Sequence, residues 1–280
     1  MAEIPNVCLS LRNRPENVLV VRQALSGVAD SLALDAIETN DLNTAVTEAC
    51  NNVVLHAYGG EEGSLEVDVY ALVDTIVVVV RDHGSGMPPH AQEDEEVPTG
   101  MGLPIMRALS RHLEVKDLSD GGTELRMEFP APKLARLEPL HGSAAGDRAP
   151  TRAEPTNTVE ISLAPDAIAR AVLPRVLSAL AARAYFSTDR ISDVQLVAGV
   201  LAANAGDSLS GSRLDVGVTL APRNLELRIG PLRAGHGESL IAAAADGLAP
   251  VIERLTDESH RVARDDSAET LELRLIDDRR

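Results

Sequence analysis

The feature that most restricts how this chain can fold is a repeat of its own pattern. Val159-Glu-Ile-Ser-Leu163 lies over Val7-Cys-Leu-Ser-Leu11 at an offset of about 152, and the offset holds without a gap until Asn204 falls on Asn52. After a shortened loop, Leu214-Asp-Val216 falls on Leu65-Glu-Val67, and residues 224–229 fall on 75–80. Pro250-Val-Ile252 then matches Pro104-Ile-Met106, and Leu271 to Leu275 match Leu125 to Phe129. Two tandem copies of one domain are therefore expected, residues 1–130 and 158–280. Residues 131–157 lose all periodicity and are rich in Pro, Ala, Gly and charge, which reads as a flexible linker.

Within the first copy, residues 6–12 alternate as a strand and Pro15 to about Leu34 has helical spacing. A second helix is expected over Leu42–Tyr58, with Asp41 as its N-cap and Gly59–Gly60 as its end. Its apolar positions include Leu42, Ala45, Val46, Ala49, Val53 and Leu55–His56–Ala57, so His56 reads as a packing residue. Ser64 to Tyr70 and the β-branched run Ile76 to Val80 read as a hairpin. Residues 104–113 read as a helix, with strands near 114–118 and 124–129. One sheet with helices on one face makes an α+β two-layer α/β sandwich.

Glu48 and Asn52 stand four apart, one turn apart on one face of the second helix. A carboxylate there can take a proton, and an amide oxygen can hold a hard cation such as Mg²⁺. The strand 76–80 delivers Asp82 into a loop with Gly84 and Gly86. Gly100 and Gly102 open the next helix in T-G-M-G-L, where backbone N–H groups can approach an anion. Gly121–Gly122–Thr123 precede the last strand of the copy. Between these motifs lies an acidic stretch, Pro88 to Thr99, expected to form a mobile lid; His83 reads as a surface residue of the Asp82 loop.

The order E-x-x-x-N, D-x-G-x-G, G-x-G-L, G-T resembles the GHKL (HATPase_c) ATP-binding superfamily. The form E-A-x-x-N-x-x-x-H-A with a short lid looks most like its anti-sigma-factor serine/threonine kinases, of the SpoIIAB and RsbW type. The resemblance covers roughly residues 5–130 and implies a Bergerat-type ATP-binding fold. It implies that Asp82 accepts from the adenine amino group with Thr123 nearby through water, and that Gly84 and Gly86 shape the base pocket. It implies further that Asn52 holds Mg²⁺, that Gly100, Met101, Gly102 and Leu103 cradle phosphate at the base of the lid, and that Glu48 is the catalytic base. The partners implied are an anti-anti-sigma (STAS) protein, phosphorylated on Ser or Thr, and a sigma factor. The assembly implied is a homodimer; the tandem pair itself suggests an internal pseudo-dimer of the two copies, or a second copy that binds an unrelated partner. One departure is visible: Val97–Pro98 stand where many of these kinases place a basic residue, so an ATP-sensing scaffold with little or no transfer is the alternative.

The second copy lacks the chemistry. Val200 stands at the position of Glu48, Pro231 at Asp82, Arg233 at Gly84, Asp246 and Leu248 at Gly100 and Gly102, and Glu269 at Thr123; Gly235 keeps Gly86. Loss of ATP binding is expected there. The formal net charge of −17 argues against nucleic acid or an anionic membrane as partner. Cys8 and Cys50 form no disulfide framework and both read as small buried apolar residues, which fits a reduced, cytoplasmic setting.

Overall fold

The computed structural model describes residues 4–85, 101–119, 121–131, 158–243, 250–265 and 267–278. The expected lid, the linker beyond Ala131, and Gly86, Gly100, Asp246 and Leu248 lie outside the described residues. The chain divides into two compact units, one holding the described residues up to 131 and the other those from 158 onward.

The first unit runs β1 (Val7–Arg12), α1 (Pro15–Ser31), α2 (Ala36–Asn52), a π-helical turn (Val53–Ala57), β2 (Ser64–Ala71), β3 (Thr75–Arg81), α3 (Gly102–Leu109), β4 (His112–Asp117) and β5 (Thr123–Pro130). Its sheet is antiparallel in the order β4-β5-β3-β2-β1. Strand alternation explains the core. Leu9, Val67, Val80, Leu125 and Val115 stand opposite one another across all five strands, and Val69, Val78, Met127 and Leu113 form the next row. Apolar side chains of α1 (Val18, Val21, Leu25, Val28) and α2 (Leu42, Val46, Ala49) are buried with these rows. The central strand β3 is buried along Ile76–Val80, as its unbroken β-branched run predicts. On the other face of the sheet, Val77 and Val79 are flanked in register by Tyr70 and Glu128, and by Asp68 and Arg126.

Helix α2 begins earlier than its apolar spacing suggests. The N-cap is Asp35, not Asp41: Asp35 Oδ1 accepts from the N–H groups of Ile37 and Glu38, and Glu38 Oε2 accepts from the Asp35 N–H. This reciprocal box ties down three N–H groups that a helix start would otherwise leave unpaired. The far end does not stay α-helical. Over Val53–Ala57 the turn widens to π, which turns Leu55 and His56 out to solvent while Val53 and Ala57 stay buried. His56 is therefore not a packing residue. Helix α3 is also shorter than 104–113. Ser110 is extended, its N–H and hydroxyl both bond the Met106 carbonyl, and His112 and Leu113 pair with Glu128 and Met127 in β4. Sheet pairing overrides the helical spacing there. Cys50 is buried as expected, whereas Cys8 is only half-buried.

The second unit runs β6 (Thr158–Leu163), α4 (Ala167–Arg183), α5 (Thr188–Asn204), β7 (Leu214–Ala221), β8 (Asn224–Arg233), α6 (His236–Ile241), α7 (Val251–Leu255), β9 (Glu258–Ala263) and β10 (Ala268–Ile276). Its sheet is antiparallel in the order β6-β7-β8-β10-β9. Val159, Val218, Leu227 and Leu273 form one buried row across it, and Ile161, Val216, Ile229 and Leu271 the next. Among the described residues, no helix is long and apolar enough to cross a membrane.

Candidate functional site

Two groups of residues in the first unit stand where the motifs predict chemistry, and the π-turn links them. The first group lies between α2 and α3. Gly102 is the first residue of α3 and is buried. A Cβ placed on it would stand 3.2 Å from Asn52 Oδ1 and 3.6 Å from Glu48 Oε2. The start of α3 therefore lies close against these two side chains, and a methyl group there would crowd Asn52. Glu48 and Asn52 are half-buried, and among the described residues neither side chain makes a hydrogen bond. A carboxylate and a carboxamide oxygen are held ready beside a helix N-terminus, where unpaired N–H groups favour an anion. Pro104, third in the helix, removes no hydrogen bond, because its N–H would be unpaired there anyway. Met101 is exposed just ahead of the helix, and Leu103 is half-buried.

The second group surrounds Asp82. Arg81, the last residue of β3, donates to Asp68 Oδ2 at 2.5 Å and to Glu124 Oε2 at 2.6 Å. These two carboxylates hold its guanidinium more firmly charged than usual and fix the strand end. Asp82 follows and is 4% exposed. Its N–H bonds the Thr123 carbonyl at 3.0 Å, and its Oδ1 accepts from the Gly84 N–H at 2.8 Å. Burial raises the Asp82 pKa above the usual carboxylate range; the Gly84 and Thr123 N–H groups, His83 and the Thr123 hydroxyl hold it back. Thr123 thus touches Asp82 directly. Gly122, at φ +97°, lets β5 approach, since a Cβ there would stand 2.1 Å from the Asp82 carbonyl oxygen. Gly84 lies against α2's extension in the same way, and a Cβ there would stand 1.9 Å from the Ala57 oxygen. The Ala57 carbonyl accepts from the Ser85 N–H at 2.9 Å. The π-turn therefore carries a direct link from the helix of Glu48 and Asn52 to the loop of Asp82. Such turns recur at functional sites.

Of the residues singled out from the sequence, Glu48, Asn52 and Gly102 come together, as do Asp82, Gly84 and Thr123. Sequence reasoning missed three participants. Arg81 sits beside the motif, and its role depends on acids distant in sequence. His83 is exposed, yet its Nε2 lies 3.2 Å from Oε1 of buried Glu66. Tyr58 bonds the Asp82 loop; the short distance to Gly63, on the far side of the double glycine, is the signal that could have found it. Cys50 lies between Glu48 and Asn52 in the chain but points into the core, where burial pushes its thiol up to about 12.

The second unit fills the matching positions differently. Val200 is buried in α5, and Asn204 spends its amide on the Val200 carbonyl at 2.8 Å. Arg233 donates to the Leu209 carbonyl at 2.9 Å, and buried Glu269 accepts from the Gly237 N–H at 2.6 Å.

Comparison with known proteins bears on the first unit. The family model of the histidine kinase-like ATPase domain matches residues 11–129. The serine-protein kinase RsbW of Bacillus pumilus (strain SAFR-032) is 32% identical over 118 residues, covering 37% of this chain and 73% of that protein. RsbW of Bacillus velezensis is 34% identical over 126 residues, covering 40% of this chain and 78% of that protein. The anti-sigma F factor of Caldanaerobacter subterraneus subsp. tengcongensis is 29% identical over 127 residues, covering 42% of this chain and 89% of that protein.

Proposed function

The chain belongs to the histidine kinase-like (GHKL) ATPase family, in the branch of RsbW and the anti-sigma F factors, and from that premise we propose that it is an ATP-dependent regulator that phosphorylates a Ser or Thr of an anti-anti-sigma (STAS) protein and binds a sigma factor. The observation that carries this reading is the pairing of Glu48 and Asn52 against the start of α3. When bound, ATP supplies the phosphoryl group and Mg²⁺ offsets its charge. The residues present fit both. Asn52 offers a carboxamide oxygen without a protein partner among the described residues, and Gly102 leaves room beside it. Asp82 offers a buried acceptor for an adenine amino group, held in place by Gly84 and Thr123. Glu48 takes the proton from the partner's hydroxyl as that oxygen attacks. Met101, Gly102 and Leu103, with Gly100 and Gly86, would complete the phosphate and base contacts.

The same proposal reads residues 158–280 as a degenerate copy that does not bind ATP. Its support is the matching order of helices and strands, together with the exchange of Glu48 for buried Val200 and of Asp82 for Pro231. Calorimetry of the full chain with Mg²⁺ and ATP tests both parts. One site per chain is expected, abolished by Asp82→Asn; two sites would refute the degenerate copy, and none would refute the ATP reading.

A second reading is an ATP-sensing scaffold with little or no transfer. It is favoured by Val97–Pro98, which follow an acidic run and offer no cation where many such kinases have one. Incubation with labelled ATP and a purified STAS protein separates the two, because only the first yields a labelled partner.

A further inference from the structure

Three backbone N–H groups of the loop that presents Asp82 are bonded to residues outside it. Two make backbone bonds already described, Asp82 N–H to Thr123 and Ser85 N–H to Ala57. The third bonds a side chain. Tyr58 follows the π-turn, and its hydroxyl accepts from the His83 N–H at 2.8 Å while donating to the Ser64 carbonyl at 2.7 Å. Ser64 opens β2, so one hydroxyl joins the end of α2, the start of β2 and the residue next to Asp82. The ring is held in register by Gly63. A Cβ on Gly63 would stand 2.0 Å from the ring, so the fold keeps that position bare for Tyr58. Phenylalanine would fill the same space but leave the His83 N–H and the Ser64 carbonyl to find other partners.

We propose that Tyr58 is a positioning residue: its hydroxyl sets the Asp82 loop against α2 and so governs affinity and base selectivity for the nucleotide. This rests on the ATP reading above. The Asp82 carboxylate can discriminate an adenine amino group from a guanine carbonyl only if its distance from the rest of the site is fixed, and a displacement of about an ångström is enough to lose such discrimination. A ring that merely packed would have no such effect on selectivity.

The test uses the full chain and its variants Tyr58→Phe, Gly63→Ala and Asp82→Asn. Hydrogen exchange without nucleotide comes first. Tyr58→Phe should speed exchange at residues 83–85 about tenfold while leaving Val67 and Val78 in the sheet protected. Binding of ATP and GTP with Mg²⁺ comes next. Tyr58→Phe should weaken ATP about tenfold and narrow the ATP:GTP preference by a similar factor. Gly63→Ala, which displaces the ring and keeps the hydroxyl, should do the same. Unchanged exchange and affinity in Tyr58→Phe would overturn the proposal. So would faster exchange throughout the unit with an unchanged ATP:GTP ratio, which marks a general packing residue. Failure of the ATP reading looks different: the wild-type chain binds no ATP, or Asp82→Asn binds it equally well, and the positioning role then falls with it.

Discussion

The two units end their first helix in the same way. After α1, Leu32 bonds back to Val28, Ala33 to Asp30 and Leu34 to Ala29; after α4, Ala184 bonds back to Leu180, Tyr185 to Ala182 and Phe186 to Ala181. In both, a non-glycine residue takes a left-handed conformation, Ala33 at φ 54° and Tyr185 at φ 63°. Glycine is the residue such a cap favours, so its absence from both units is an unusual shared detail. Yet Asn52 and Asn204, at matching helix ends, use their amides differently. Asn204 closes onto its own helix, whereas Asn52 has no partner among the described residues. The end of the first helix is thus alike in the two units, while the amide at the end of the second helix is open in one and closed onto its own helix in the other.

Four changes break or sharpen this contrast. Glu48→Gln has the largest expected effect: transfer to a STAS protein should fall about a thousandfold, with ATP affinity held within about threefold, because only the proton acceptor is lost. Labelled-phosphate transfer and calorimetry on the same variant check it. Val200→Glu, which writes the acid into the second unit, should not create ATP binding. It should destabilise the chain by about 3 kcal/mol in urea titration, since Val200 is buried and a carboxylate there would be taken out of water. The helix starts come next. Asp35 caps α2 through its side chain, whereas Ser187 makes no side-chain cap on α5; the reverse holds for Arg14 at α1 and Asp166 at α4. Asp35→Ala and Asp166→Ala should each cost about 1 kcal/mol, and Ser187→Ala should change stability by less than about 0.5 kcal/mol.

The smallest effect is with pH. Asp82 has a raised folded-state pKa, so between the ordinary aspartate value and that raised one the folded chain keeps a proton the unfolded chain has released. Its contribution to stability therefore grows as pH falls through this window and is lost as pH rises through the folded value, opposite to a salt-bridged acid. Over the same window ATP affinity should weaken as pH falls, because a protonated carboxyl presents a donor to the adenine amino group. Urea titration of wild type against Asp82→Asn across this window isolates the stability trend, and calorimetry of the wild-type chain over the same window follows the affinity.

Much of this was legible in the sequence for physical reasons. The β-branched run Ile76–Val80 can sit only in a strand buried on both faces, and alternation at 7–11 and 65–69 fixes which side chains share the core. Glu48 and Asn52 were found because helical spacing puts them on one face. Other features depend on contacts between distant residues. Apolar spacing points to Asp41, which directly precedes the apolar run, whereas α2 starts at the D-x-x-E box of Asp35 and Glu38. The π-turn meets Gly84 and Ser85 at Ala57, a contact between residues distant in sequence, whereas local spacing at 53–57 alone predicts a packed His56. The tie between Thr123 and Asp82 needs the backbone approach that Gly122 allows, and a motif string names the residues without giving their distance.

Cys50 gives the site a kind of chemical insulation. A thiol placed between Glu48 and Asn52 in the chain would be an obvious point of attack for alkylating drugs or peroxide if it ionised. Burial pushes its pKa well up, so the thiolate is scarce at neutral pH, and the side chain is enclosed in the packed interior. The helix that holds the proposed base and metal ligand thus carries a thiol of low reactivity, and covalent inhibitors aimed at this cysteine should react slowly.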